Sequence, residues 1–376
     1  MKHTHTLLIG ILCLVLTGTS CSQNQSGEVS LDAKIGQMLK VGFRGLSVDE
    51  QSPVVKDIQK YHIGGVVLFD YDVPRDTAYR NISSPQQVQK LTQDLQQYAQ
   101  TPLIIAIDQE GGRVARLKPK HGFEPTVSAQ YLGSLQDADS TQKYARQTGE
   151  TLSELGINTN LAPVVDVNLN PKNPVIGGIE RSFSKDPEIV TEQAEIYIET
   201  LHEYGIITTL KHFPGHGSSK DDSHLGVVDV TDYWQQEELV PYRNLIESGS
   251  ADIVMTAHIF NAELDSTYPA TLSKPIITGI LRDSLGFDGV VMSDDLQMKA
   301  IRTQYGLKET IKLSIQAGVD MLSFANNSIF DAEIAAKAHR IIKELIEEGA
   351  ITEDRIDESY RRIMELKRNY LISSES

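Results

Sequence analysis

Fourteen residues, Lys211 to His224, read KHFPGHGSSKDDSH and hold three histidines, two lysines and two aspartates. They follow Gly205-Ile-Ile-Thr-Thr-Leu210, an apolar stretch of strand character, so the polar groups begin where a buried strand would surface. A polar cluster this dense is costly to bury without a task. Its end, Asp222-Ser223-His224, sets a carboxylate two residues from an imidazole. A carboxylate so placed can hold one ring nitrogen, fix the tautomer and raise the basicity of the other, which is the wiring of a general acid/base. Asp221 competes for the same role, and adjacency favours Asp222. A second cluster lies downstream, where Gly289-Val-Val-Met292 runs into Ser293-Asp294-Asp295-Leu296. An Asp at the end of a short apolar strand, with a proton-donating imidazole elsewhere, fits the two-group chemistry that cleaves glycosidic bonds. Successive residues leaving a strand point opposite ways, so only one of Asp294 and Asp295 is expected to face a substrate.

The elements that must position these groups are legible as eight apolar, β-branched segments: 35–43, 65–69, 103–107, 159–167, 206–210, 253–258, 290–293 and 319–324. Their nearly continuous apolar character suits strands buried on both faces. Between them lie stretches long enough for crossover helices, with helical spacing over 86–98, 140–155, 331–348 and 353–370. Ile334, Ala338, Ile341 and Leu345 share one apolar face. Strands alternating with helices predict an α/β fold with a parallel sheet, and eight such units favour a closed (β/α)8 barrel of TIM type. In such a barrel the working residues gather at the C-terminal ends of the strands. Asp108 falls at the end of the third segment, Lys211 and His212 after the fifth, His258 at the end of the sixth and Asp294 after the seventh. For His258 two readings stand: a pocket residue, or a histidine that satisfies a buried backbone group.

KHFPGHG, the DSH that follows it, and GFDGVVMSDDL closely resemble glycoside hydrolase family 3, and within it the β-N-acetylglucosaminidases. KIGQMLKVGFRG, DQEGGRVARL at Asp108 to Leu117 and ERSFSKDP at Glu180 to Pro187 match as well, in the family's order, so the resemblance runs from about Leu31 to about Leu371. It implies the same barrel, here without the second α/β domain that many relatives carry. It implies Asp294, the first acid of SDD, as the nucleophile, with Asp295 as the structural partner. His224, oriented by Asp222, becomes the general acid/base. Lys211, His212, Asp108, Arg116 and Arg181 become a ring of sugar-binding groups, with Glu110 and Arg113 as supports behind them. The implied reaction is exo-hydrolysis of terminal β-linked GlcNAc, from peptidoglycan-derived fragments or other glycans, through a covalent glycosyl-enzyme. No metal or organic cofactor is required. A zinc set of His212, His216 and His224 would need helical spacing for the first two, which Pro214 and Gly215 oppose. Gly215 and Gly217 are expected to shape the turn, and the Gly217–Ser219 stretch to let the loop close over a substrate.

Composition bounds the rest. The 376 residues carry a formal net charge of −16 with 40% hydrophobic residues, and the isoelectric point is near 5.1. No basic block is present to serve a nucleic-acid partner, so none is expected. Residues 1–20 read as an export leader, with Lys2 followed by the apolar run Leu7–Leu16, which is too short to span a membrane. Gly18-Thr19-Ser20-Cys21 resembles a lipoprotein cleavage box, which would lipidate Cys21 and anchor the chain to a membrane; ordinary leader cleavage is the alternative. The expected organisation is a leader over 1–20, a flexible tether over 21–30, one catalytic barrel over 31–371 and a loose tail over 372–376, as a monomer outside the cytoplasm. Both cysteines, Cys13 and Cys21, precede the barrel, so no disulfide supports it. Two rivals remain: a GlcNAc glycoside phosphorylase, since an imidazole acid/base repels phosphate less than a second carboxylate would, and a non-catalytic sugar-binding lipoprotein.

Overall fold

The computed structural model describes residues 29–222 and 226–372. Eight short parallel strands form its centre among the described residues: β1 (Leu39–Gly42), β2 (Gly65–Leu68), β3 (Ile104–Ile107), β4 (Thr159–Asn160), β5 (Thr209–Phe213), β6 (Ile253–Thr256), β7 (Val290–Ser293) and β8 (Leu322–Phe324). All eight are buried, as the unbroken Val/Ile/Leu character of the segments requires when helices cover the outer face. Continuous parallel ladders join β8-β1-β2-β3-β4 and β5-β6-β7. Single parallel bridges close the two arcs into a ring: Thr159 with Ile207 and Val164 with Lys211 at one seam, Met292 with Met321 at the other. The architecture is therefore the expected (β/α)8 barrel.

The helices begin where capping chemistry dictates. Ser84 Oγ accepts the Gln87 N–H and Pro85 opens the helix Pro85–Gln97; Thr352 Oγ1 accepts the Arg355 N–H at the head of Glu353–Tyr370. The apolar face of Ile334–Glu347, including Ile334, Ala338, Ile341 and Leu345, is buried in the main core. Each such Leu or Ile contributes roughly 1.5–3 kcal/mol when fully buried. At the end of the last helix, the Lys367 ammonium is buried and donates to Gln37 Oε1 at 2.7 Å and to the Gly64 carbonyl at 2.9 Å, latching the helix to the N-terminal rim of the barrel.

The strands are shorter than the apolar segments, and three boundaries change how the site is placed. Residues 35–37 belong to the helix Leu31–Gln37, because Ser30 caps it and Ile35 packs from a helical turn. The fourth ladder stops at Asn160, with Pro163 unable to donate beyond it. The fifth strand starts at Thr209 and carries Lys211 and His212 within it, where the register with β6 slips between Leu210 and Phe213. A slip of this kind re-aims side chains, and both Lys211 and His212 line the same cavity. The loop after β5 passes so close to the β4 segment that a Cβ on Gly217 would lie 1.7 Å from the Val167 carbonyl oxygen. Gly215 adopts φ +117°, open to glycine, with the Glu238 side chain against it.

Candidate active site

A cavity of about 440 Å³ opens at the C-terminal end of the barrel. Asp108, Glu110, Arg116, Arg181, Lys211, His212, Asp222, Asp294 and Asp295 all line it, as does Lys40 from β1. Asp222 and Asp294 thus face one cavity. The tip of that loop, Ser223 to Leu225 and so His224, lies outside the described residues, as do the leader, Cys21 and most of the tether.

On one side of the cavity the charged groups interlock. Lys211 Nζ donates to Asp108 Oδ1 at 2.9 Å and lies 2.6 Å from Glu110 Oε1. Arg116 Nη2 donates to Asp108 Oδ2 at 3.1 Å. Arg181 grips Glu110 through two bonds of 2.7 Å, Nε to Oε2 and Nη2 to Oε1, the fork geometry that guanidinium and carboxylate share. Burial pushes the Asp108 carboxyl up, but Lys211 and Arg116 outweigh it and hold it well below the carboxylate range. The same contest, burial against Arg181 and Lys211, leaves Glu110 below its ordinary value. Both remain anionic acceptors in a dry place.

His212 belongs to the same lattice. Arg181 Nη2 lies 3.2 Å from His212 Nε2; a guanidinium only donates, so Nε2 accepts and the ring proton sits on Nδ1. From there it donates to Asp166 Oδ2 at 2.7 Å. The other Asp166 oxygen accepts the backbone N–H groups of His212 at 3.1 Å and His216 at 2.8 Å. Asp166 is wholly buried; burial pushes its carboxyl up, and His212 and these donors bring it below the usual range. Neither Asp166 nor its role was read from the sequence. The available signal was an acid at the end of the apolar run 159–167, the same position that marks Asp108 and Asp294.

Both acids after β7 line the cavity, and they differ in exposure. Asp294 is part-exposed in the cavity, and its Oδ1 accepts the Asp295 N–H at 2.7 Å. Asp295 is buried, its Oδ1 accepting the N–H groups of Gln297 at 3.1 Å and Ala325 at 3.0 Å, so it ties the end of β7 to the end of β8. Burial raises the Asp295 carboxyl to about 6. His258 stands behind this turn rather than among the groups lining the cavity: Nε2 donates to the Asp295 carbonyl at 2.9 Å and Nδ1 meets Thr271 Oγ1 at 2.8 Å. Of its two readings, the geometry is that of the backbone support.

An eight-stranded parallel barrel with interlocked carboxylates, guanidinium groups and a lysine at its C-terminal mouth has its charged cluster where barrel enzymes carry their sites. The chain belongs to glycosyl hydrolase family 3: the model of the family's N-terminal domain matches residues 30–366. Beta-hexosaminidase A of Pseudoalteromonas piscicida is 34% identical over 342 residues, which make up 85% of this chain and 55% of that relative. The beta-hexosaminidase LpqI of Mycobacterium tuberculosis is 33% identical over 342 residues, 89% of this chain and 82% of the relative. Among solved structures, a family 3 beta-N-acetylglucosaminidase from a Paenibacillus species superposes with a TM-score of 0.83 at 36% identity, covering 93% of this chain and 66% of that one. The chain therefore spans little more than half of the Pseudoalteromonas relative and about two thirds of the Paenibacillus enzyme.

Proposed function

We propose that this chain is a retaining exo-β-N-acetylglucosaminidase that releases terminal β-linked GlcNAc from peptidoglycan-derived fragments or other glycans. The observation that carries the reading is that Asp222 and Asp294 line one cavity, floored and walled by the Asp108–Lys211–Glu110–Arg181 lattice. The names of the relatives, beta-hexosaminidase and beta-N-acetylglucosaminidase, support the choice of sugar.

In this mechanism an Asp294 carboxylate oxygen attacks the anomeric carbon. The bond to the leaving oxygen breaks as His224, held by Asp222, gives that oxygen its proton. Water then gives a proton back to His224 and its oxygen displaces Asp294 from the anomeric carbon, so two inversions retain the configuration. Asp108 accepts from sugar hydroxyls, while Arg116, Arg181, Lys211 and His212 fix the sugar over Asp294. Export and anchoring through a lipid on Cys21 belong to the same reading and rest on the leader-like sequence; among the described residues no helix is long and apolar enough to cross a membrane.

The test is hydrolysis of an aryl β-GlcNAc by the parent and by Asp294→Ala. Loss of a covalent nucleophile costs several orders of magnitude; activity within about tenfold of the parent would remove Asp294 from this role.

A further inference from the structure

Three lysines are almost completely buried among the described residues: Lys40, Lys211 and Lys367. Two of them are paid for by obvious partners. Lys211 meets two carboxylates, and Lys367 meets an amide oxygen and a carbonyl. Lys40 lies in the middle of β1 and is only 1% exposed, and its ammonium makes no hydrogen bond or ion pair to another described residue. Its ladder neighbours on either side, Ser323 and Gly65, bring no charge. Its side chain reaches the sugar cavity instead.

An ammonium carries three donors and is costly to bury without acceptors. The charges that act on Lys40 are Asp108 after β3, Asp294 and Asp295 after β7, and the like charge of Lys211 on β5. Burial dominates and lowers the Lys40 pKa to about 8, so the group is still cationic at neutral pH. In the closed ring, β1 lies opposite β5. Lys40 therefore approaches a bound ligand from the far side of the Lys211–Arg181 lattice. The cations of that lattice are engaged by Asp108 and Glu110, which leaves Lys40 as the unpaired cation lining the cavity among the described residues.

Resting on the glycosidase reading above, we propose that Lys40 is a sugar-contacting residue: its ammonium donates to hydroxyl oxygens of the sugar held over Asp294 and keeps the Asp294 carboxylate ionised for attack. Filling the pocket supplies the acceptors that the protein does not, so the cost of burying the charge is recovered on binding.

The experiment compares the parent, K40M and K40R in three readouts: GlcNAc affinity by calorimetry, the pH profile of kcat/KM on an aryl β-GlcNAc, and Tm at pH 7. For K40M the expected results are a loss of tenfold or more in GlcNAc affinity, an acid limb moved up by about one pH unit, and a Tm no lower than the parent's, since an apolar side chain replaces a buried charge. K40R should keep the acid limb of the parent. K40M with parental affinity and an unmoved limb would overturn the inference while leaving the glycosidase reading intact. A K40M chain that fails to fold, or melts several degrees earlier, would show a scaffold role and overturn it as well. Parental turnover of the aryl glycoside tests the activity reading separately, and a parent that neither hydrolyses it nor binds GlcNAc sinks both.

Discussion

The Lys211 ammonium on β5 lies 2.6 Å from Oε1 of Glu110, a residue beyond the end of β3, and both side chains are at most 5% exposed. Glu110 is also gripped twice by Arg181, so one carboxylate bridges two cations in a dry pocket wall, with Asp108 as the second acid on Lys211. Removing one partner of a buried pair leaves the other uncompensated, which typically costs about 3–5 kcal/mol. Glu110→Ala should lose stability on that scale in urea unfolding, and Glu110→Gln should lose less, because its amide oxygen still accepts a hydrogen bond. Sugar affinity should fall in both, since Arg181 and Lys211 lose their fixed positions.

Asp222 should matter in proportion to how much the leaving group needs a proton. With 4-nitrophenol, a stable anion, cleavage requires little protonation; with a sugar alcohol it requires much more. General acid/base catalysis contributes about 10²–10⁴ in rate. Asp222→Ala is therefore expected to lose far more kcat/KM on GlcNAc-terminated disaccharides than on the nitrophenyl glycoside. Equal losses on both would detach Asp222 from His224.

Glu238 should set part of the stability–pH profile. Its Oε2 accepts the Gly217 N–H at 2.8 Å, under the loop that carries Asp222, and burial raises its carboxyl to about 8. Because the folded value lies above the unfolded one, the native state binds the extra proton between about pH 4.5 and 8. Stability from this group is complete below that window and is lost as pH rises through it, at about 1.4 kcal/mol per pH unit. Glu238→Gln keeps an acceptor for Gly217 and cannot ionise. Its Tm should fall less than the parent's between pH 5 and 8; parallel Tm–pH curves would contradict the assignment.

In phosphate buffer the released sugar should be free GlcNAc. The reading requires water to finish the reaction, so chromatography should show the same product in phosphate and in a non-phosphate buffer. A dominant GlcNAc-1-phosphate would make the chain a phosphorylase.

The barrel was legible because most of its strands are short runs dominated by apolar residues, as burial on both faces favours. Strand ends were harder. Ile35 is as apolar as Leu39, and only the Ser30 cap makes it helical. The charged residues were legible where they leave a strand, as Asp108 and Asp294 do. Asp166 and Glu110 act through partners far along the chain, His212 and Lys211, and local spacing carries no trace of such pairing. Lys40 was not singled out in the sequence, because a lone cation in an apolar run does not say whether it points into the barrel. His258 could not be resolved from sequence because the group it supports, the Asp295 carbonyl, is defined by the fold.

The most direct measurement is to trap the intermediate. A 5-fluoro GlcNAc fluoride slows both steps by disfavouring positive charge in the transition states, while its good leaving group lets the first proceed, so a covalent sugar should accumulate. Proteolysis and mass spectrometry should find one glycosyl group per chain, esterified to Asp294. An adduct on Asp295, or turnover with no adduct and inverted product, would contradict the account.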